Sequence, residues 1–178
     1  MFIVAMSMAS LAACSATSAV LGDAIRPDTA GRATTVPTTS TVVPLPTPWD
    51  AEMLDEVNSH RAEHGVEPLV RCDTLQQAAQ GSAEVLARWG KLSHTGPDGS
   101  EPRDRARDAG YRGSSYVGEN IASGYGDAGH AMDGWMDSPG PRANILEPTF
   151  THVGFGRASG DGPGSPYWVQ KFGANATC

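Results

Sequence analysis

Between residue 49 and Cys178 the apolar positions fall into two rhythms. Met53, Leu54 and Val57, with Arg61, share one stripe at helical spacing, which predicts a first helix with Asp50 as its N-cap and Gly65 as its terminator. Leu75, Ala78, Ala79, Ser82, Val85, Leu86 and Trp89 repeat at intervals of three and four. They predict a second helix from near Asp73, with a narrow small-residue face suited to close packing and Gly90 as its stop. A short polar helix is expected from Glu101 to about Ala109, capped by Ser100, with Pro102 tolerated in its first turn. A fourth helix is expected over Asp127 to Asp137, weakened by Gly129 and Gly134. His152 to Arg157 and Tyr167 to Phe172 read as strands separated by the loop SerGlyAspGlyProGlySerPro. Helices before, between and around a few strands predict an α/β or α+β domain, and no internal repeat is visible.

The pattern changes upstream. Residues 1–14, MetPheIleValAlaMetSerMetAlaSerLeuAlaAlaCys, form an apolar run too short to span a bilayer as a helix, and read as a secretory signal. The Lys or Arg that normally opens such a signal is missing, so the true translation start is expected to differ from Met1. LeuAlaAlaCys at Leu11 to Cys14 resembles a bacterial lipobox, which would make Cys14 the lipid-bearing residue; an ordinary cleaved signal with an incidental Cys is the alternative. Residues 15–48 are rich in Thr, Ser, Ala, Val and Pro and have no sustained period. Such a stretch buries too little apolar area to offset its ordering entropy, and is expected to be a disordered spacer ahead of a folded domain at 49–178.

Composition narrows the partners. A chain of 178 residues with 39% hydrophobic content holds one ordinary domain plus a tail. A net charge of −7 lacks the basic footprint of nucleic-acid binding, so no nucleic-acid partner is expected. With Cys14 lipidated, two of the three cysteines remain, and Cys72 and Cys178 in an exported chain are most simply a disulfide, two free thiols being the alternative.

Five motifs in order carry more. SerHisThrGlyProAspGly at Ser93 to Gly99 precedes GlyGluAsnIleAla at Gly118 to Ala122 and TrpMetAspSerProGlyProArgAlaAsnIleLeu at Trp135 to Leu146. ThrHisValGlyPheGly at Thr151 and TyrTrpValGlnLysPheGly at Tyr167 follow. From about Trp49 onward the chain thereby resembles the bacterial branch of the CAP superfamily, the secreted group that includes cysteine-rich secretory proteins, venom allergens and plant pathogenesis-related proteins. The resemblance implies a three-layer α-β-α sandwich with a central, mainly antiparallel sheet and a polar cleft bearing a tetrad of two His and two acidic residues. His94 and Glu119, each read as held on a glycine-flanked turn, match tetrad positions. Asn120 is expected to serve the turn. The second His is replaced by Pro141, and the second acid falls at Ser138, with Asp137 beside it as a substitute carboxylate. His152 either reaches the cleft from the start of its strand or points into a layer interface.

Other chemistry is thinner. His60, Glu63 and His64 fit the HisXaaXaaGluHis pattern of inverted zinc peptidases, but Gly65 ends the helix at once and a solvated helix face is the better account. Ser93 or Ser138 would serve a hydrolase with His94 and Glu119, yet no GlyXaaSerXaaGly elbow is present. The expectation is an extracytoplasmic, lipid-anchored binding module for a small apolar, lipid or cell-envelope ligand. No cofactor is expected beyond a weak divalent metal at His94. The alternative is a hydrolase or metal-dependent enzyme acting on cell-envelope or extracellular material.

Overall fold

The computed structural model describes residues 47–162, 164–174 and 178. The signal run with Cys14, and the spacer up to residue 46, lie outside the described residues. Helix α1 runs over Pro48–Glu63, strand β1 over Val70–Arg71, α2 over Asp73–Trp89, α3 over Pro102–Asp108 and β2 over Gly118–Ser123. α4 at Ala128–Met136, α5 at Pro139–Ile145, β3 at His152–Ala158 and β4 at Tyr167–Gly173 complete the order. The four strands lie in the order β1-β3-β4-β2. Both pairings of β4 are antiparallel and the short β1–β3 pairing is parallel.

Alternation along the strands sends side chains to two helical layers. Val153 and Phe155 of β3 and Trp168 and Phe172 of β4 join Met53 and Val57 of α1, Met132 and Trp135 of α4 and Ile145 of α5 in the main core. Tyr167 and Val169 point the other way, against Ala79, Ala83, Leu86 and Ala87 of α2. The result is the expected α-β-α sandwich. The small-residue face of α2 has its counterpart in the sheet: any side chain on Gly154 or Gly156 would run into the α2 backbone at Leu75–Gln76 or Ala79. That approach lets Gln76 accept from Phe155 N at 2.8 Å and Gln80 accept from Arg157 N at 3.1 Å. Beyond the two residues paired with β1, α2 side chains thus satisfy the free edge of β3.

Several local expectations are corrected. Thr47, not Asp50, is the N-cap of α1. Asp50 sits in the first turn, buried, and accepts from Arg71 at 3.1 Å, tying α1 to β1. Glu101 rather than Ser100 caps α3, in a reciprocal capping box with Asp104. The GlyGluAsnIleAla segment is strand β2 instead of a turn, and it escaped the hydrophobic pattern because Glu119 and Asn120 are both buried within it. Helix α5 was hidden by Pro139 and Pro141, which fall in its first turn, where a backbone N–H has no intrahelical acceptor to lose.

Two features lock the layers. Arg61, the second residue of the HisArgAlaGluHis stretch, is fully buried and donates to the carbonyls of Glu67, Ile145, Glu147 and Phe150 at 2.7 to 3.1 Å. His64 beside it sets Nδ1 against the His60 carbonyl at 2.7 Å and Nε2 against Arg142 at 3.0 Å. Cys72, at the N-cap of α2, is disulfide-bonded to Cys178 across 106 residues of sequence.

Candidate functional site

Glu119 and Lys171 are directly opposed across β2 and β4, on the face that looks toward α2 and α3. A buried strand position normally takes an apolar residue, so a Lys that is 0% exposed needs a carboxylate beside it. Lys171 Nζ donates to Glu119 Oε2. From α3, Arg105 reaches both carboxylate oxygens, at 3.2 and 3.0 Å. From the loop after α2, His94 places Nδ1 at 2.9 Å from Glu119 Oε1; an ionised carboxylate only accepts, so the imidazole donates.

Arg105 is the hub of this arrangement. Besides Glu119 it donates to Ser82 Oγ of α2 at 3.0 Å, to the Ser100 carbonyl at 2.6 Å and to the His94 carbonyl at 2.8 Å. One guanidinium therefore fixes the position of the loop that carries His94. The space left among Ser82, Leu86, Ser93, Gly96, Arg105 and Glu119 is about 10 Å³, room for roughly one water. The expected polar cleft is, at this point, filled by Arg105.

Electrostatics follow from the packing. Burial by itself would push the Glu119 carboxyl upward, but the hydrogen bond from His94 and the charges of Lys171 and Arg105 outweigh it and hold the group at about 2. Burial likewise pushes the Lys171 ammonium down, opposed by Glu119. Near neutral pH Glu119 is thus an anion with each oxygen engaged. It orients an imidazole whose side chain is 56% exposed and whose Nε2 makes no hydrogen bond among the described residues.

The other site expectations fall elsewhere. Asp137 is exposed at the C-cap of α4, and Ser138 is the N-cap of α5. His152 opens β3 and pairs its Nδ1 with Thr151 Oγ1 at 2.7 Å. None of the three hydrogen-bonds to His94 or Glu119. Ser93 donates its hydroxyl to the Thr95 carbonyl at 2.8 Å, and among the described residues no hydroxyl is hydrogen-bonded to the His94 imidazole. Asn120 lies in a strand and serves no turn: it donates to Pro141 O at 3.1 Å and to Gln170 Oε1 at 3.0 Å, and accepts from Asn144 at 2.9 Å, which fastens α5 to the sheet. A divalent metal does not fit this donor set. Glu119 already neutralises two cations, position 141 offers no imidazole, and no group of three or more metal-ligating side chains occurs among the described residues.

Arg105 and Lys171 were not anticipated from the sequence. The signal for Lys171 was available: a lone cation inside TyrTrpValGlnLysPheGly, a strand with all seven residues buried, demands an acidic neighbour in the adjacent strand.

The layering and the acidic strand residue that grips a loop histidine define a three-layer α-β-α domain with a carboxylate–imidazole pair beside α2 and α3. The family model described as CAP, the cysteine-rich secretory protein family, matches residues 54–172, and the chain belongs to that family. YkwD of Bacillus subtilis is 30% identical over 124 residues, covering 70% of this chain and 46% of YkwD. The membrane protein YlbC of the same organism is 30% identical over 112 residues, 63% of this chain and 32% of YlbC. The chain therefore spans less than half the length of either relative. An extracellular protein of Bacillus anthracis containing an SCP domain superposes with a TM-score of 0.60 at 27% identity, covering 70% of this chain and 40% of that one.

Proposed function

We infer that the chain acts outside the cytoplasm as a binding and interaction module, with His94 and Glu119 shaping its surface instead of turning over a substrate. The observation that carries this reading is the saturation of Glu119. A carboxylate held at about 2 and engaged by Arg105, Lys171 and His94 has no proton affinity to offer as a general base near neutral pH. Extracytoplasmic location is supported by the extracellular B. anthracis relative and by the disulfide, which persists in oxidising compartments. Anchoring through a lipidated Cys14, with residues 15–48 as the tether, belongs to the same reading, as does a small apolar, lipid or cell-envelope ligand.

One observation favours the enzymatic alternative, the exposed Nε2 of an oriented imidazole at His94. The test is direct. The full chain and His94→Ala are incubated with generic ester and peptide substrates, with and without divalent metal. No turnover, or equal turnover in both, is expected. Turnover that His94→Ala removes would overturn the reading.

A further inference from the structure

Helix α3 presents its arginines to two different surroundings. Arg105 turns inward to Glu119, whereas Arg103 and Arg107, one helical turn apart, line an open groove of about 440 Å³ together with Arg112 and the loop that follows it. The chain as a whole has a net charge of −7 and only 13 Lys and Arg residues, so three guanidinium groups around one groove run against its overall field. Among the described residues no acidic side chain lines the groove. Arg107 is shared with Asp104 at 3.4 Å and Asp108 at 3.3 Å, on the helix itself. Among the described residues Arg103 and Arg112 have no carboxylate partner.

The groove is also pre-arranged. Arg112 donates through one terminal nitrogen to the Arg107 carbonyl at 2.9 Å and the Tyr111 carbonyl at 3.1 Å, which fixes the side chain without neutralising it. The adjoining loop is pinned to the end of β4, because Ser114 N and the Tyr111 hydroxyl both donate to the Ala174 carbonyl, at 2.7 and 2.9 Å. Gly113 makes that approach feasible, since a side chain there would collide with the Tyr111 ring and the Ala174 carbonyl. The N–H groups of Gly113 and Ser115 and the Ser115 hydroxyl donate to nothing among the described residues.

We propose that this groove between α3 and the loop 112–115 binds a phosphoryl group. Three guanidinium groups lining one groove, beside a loop with N–H donors that no described residue takes up, suit a tetrahedral oxyanion with several acceptor oxygens, and the volume suits a small phosphate ester or a single headgroup. The site is separate from the Glu119 cluster, so its test does not depend on what His94 does. The phosphoryl group could come from a soluble ester or from an anionic lipid headgroup, and the experiment distinguishes the two.

The full chain is titrated calorimetrically with inorganic phosphate and with glycerol 3-phosphate, and is sedimented with vesicles of phosphatidylglycerol or of phosphatidylcholine. Saturable binding that weakens with added salt is expected. Arg103→Gln and Arg112→Gln should each weaken it about tenfold and the pair should abolish it, while Arg88→Gln, on α2, should leave it unchanged. All three side chains are exposed, and circular dichroism of the variants verifies that they fold. Arginine-dependent retention on phosphatidylglycerol but not phosphatidylcholine assigns a headgroup; arginine-dependent binding of the soluble esters alone assigns a soluble phosphate. No saturable binding to any probe at millimolar concentration, or binding that survives the double variant, would overturn the proposal.

Discussion

Replacing Glu119 by Gln keeps the side-chain shape and hydrogen-bonding oxygen but removes the charge that Arg105 and Lys171 surround. A carboxyl held at about 2 instead of its ordinary 4.5 favours its ionised form in the fold by about 3 kcal/mol. Glu119 is 2% exposed, so solvent screening takes little from that figure. The sign follows from which state binds the proton. The unfolded carboxyl protonates first as pH falls, so the stabilisation is complete above about 4.5 and disappears as pH drops through about 2. Glu119→Gln should therefore lose about 3 kcal/mol at pH 7, and the gap from the unaltered protein should close towards zero near pH 2. Urea unfolding with the disulfide intact, followed by the fluorescence of buried Trp135 and Trp168, measures both quantities. A gap below about 1 kcal/mol at pH 7, or a gap of constant size across the acid range, would refute the claim that this cluster is an ionised carboxylate gripped by the buried Lys171 and the half-buried Arg105.

Arg61→Met should cost about 3–5 kcal/mol in the same assay, because it strands the buried carbonyls of Ile145 and Phe150 as well as those of Glu67 and Glu147; a loss under about 1 kcal/mol would mean that water replaces the guanidinium. Peptide mapping without reductant should recover Cys72 and Cys178 in one fragment, and reduction should cost on the order of 4.7 kcal/mol in the chain-entropy account of a loop near 100 residues. Zinc titration of the unmodified protein should find no stoichiometric site; tight binding abolished by His94→Ala would show that Arg105 and Lys171 release the carboxylate. Cys14→Ser should move the protein from the membrane fraction to the soluble one, and recovery of the unaltered protein solely as an unmodified soluble species would remove the anchor from the functional reading.

The elements with a clean period were legible in the chain. Helix α2 announced itself by its small-residue face and its left-handed Gly90 stop, and β3 and β4 by their aromatics and valines between turn signals. What escaped was whatever polarity or proline disguised. β2 hides because its second and third positions are Glu119 and Asn120, buried on opposite faces of the sheet and each satisfied by tertiary partners that no local window contains. α5 hides because prolines are tolerated at a helix start and read elsewhere as breakers.

The same blindness governed the site. Ordered motifs brought His94 and Glu119 to attention, and the fold does set them 2.9 Å apart. Sequence order says nothing, however, about the competition for the carboxylate, because Arg105 and Lys171 lie on elements whose relative placement only the sheet pairing fixes. That competition decides the chemistry. With the carboxylate exposed to one imidazole alone, the pair would read as half of a metal site or a base and its orienter; with a buried ammonium and a half-buried guanidinium on the same carboxylate, it becomes a structural rivet that leaves one imidazole edge facing solvent. A buried cation in an otherwise closed strand is therefore the informative signal in a chain of this kind. Lys171 has to find an anion within its own sheet, and Glu119, its cross-strand partner, is that anion.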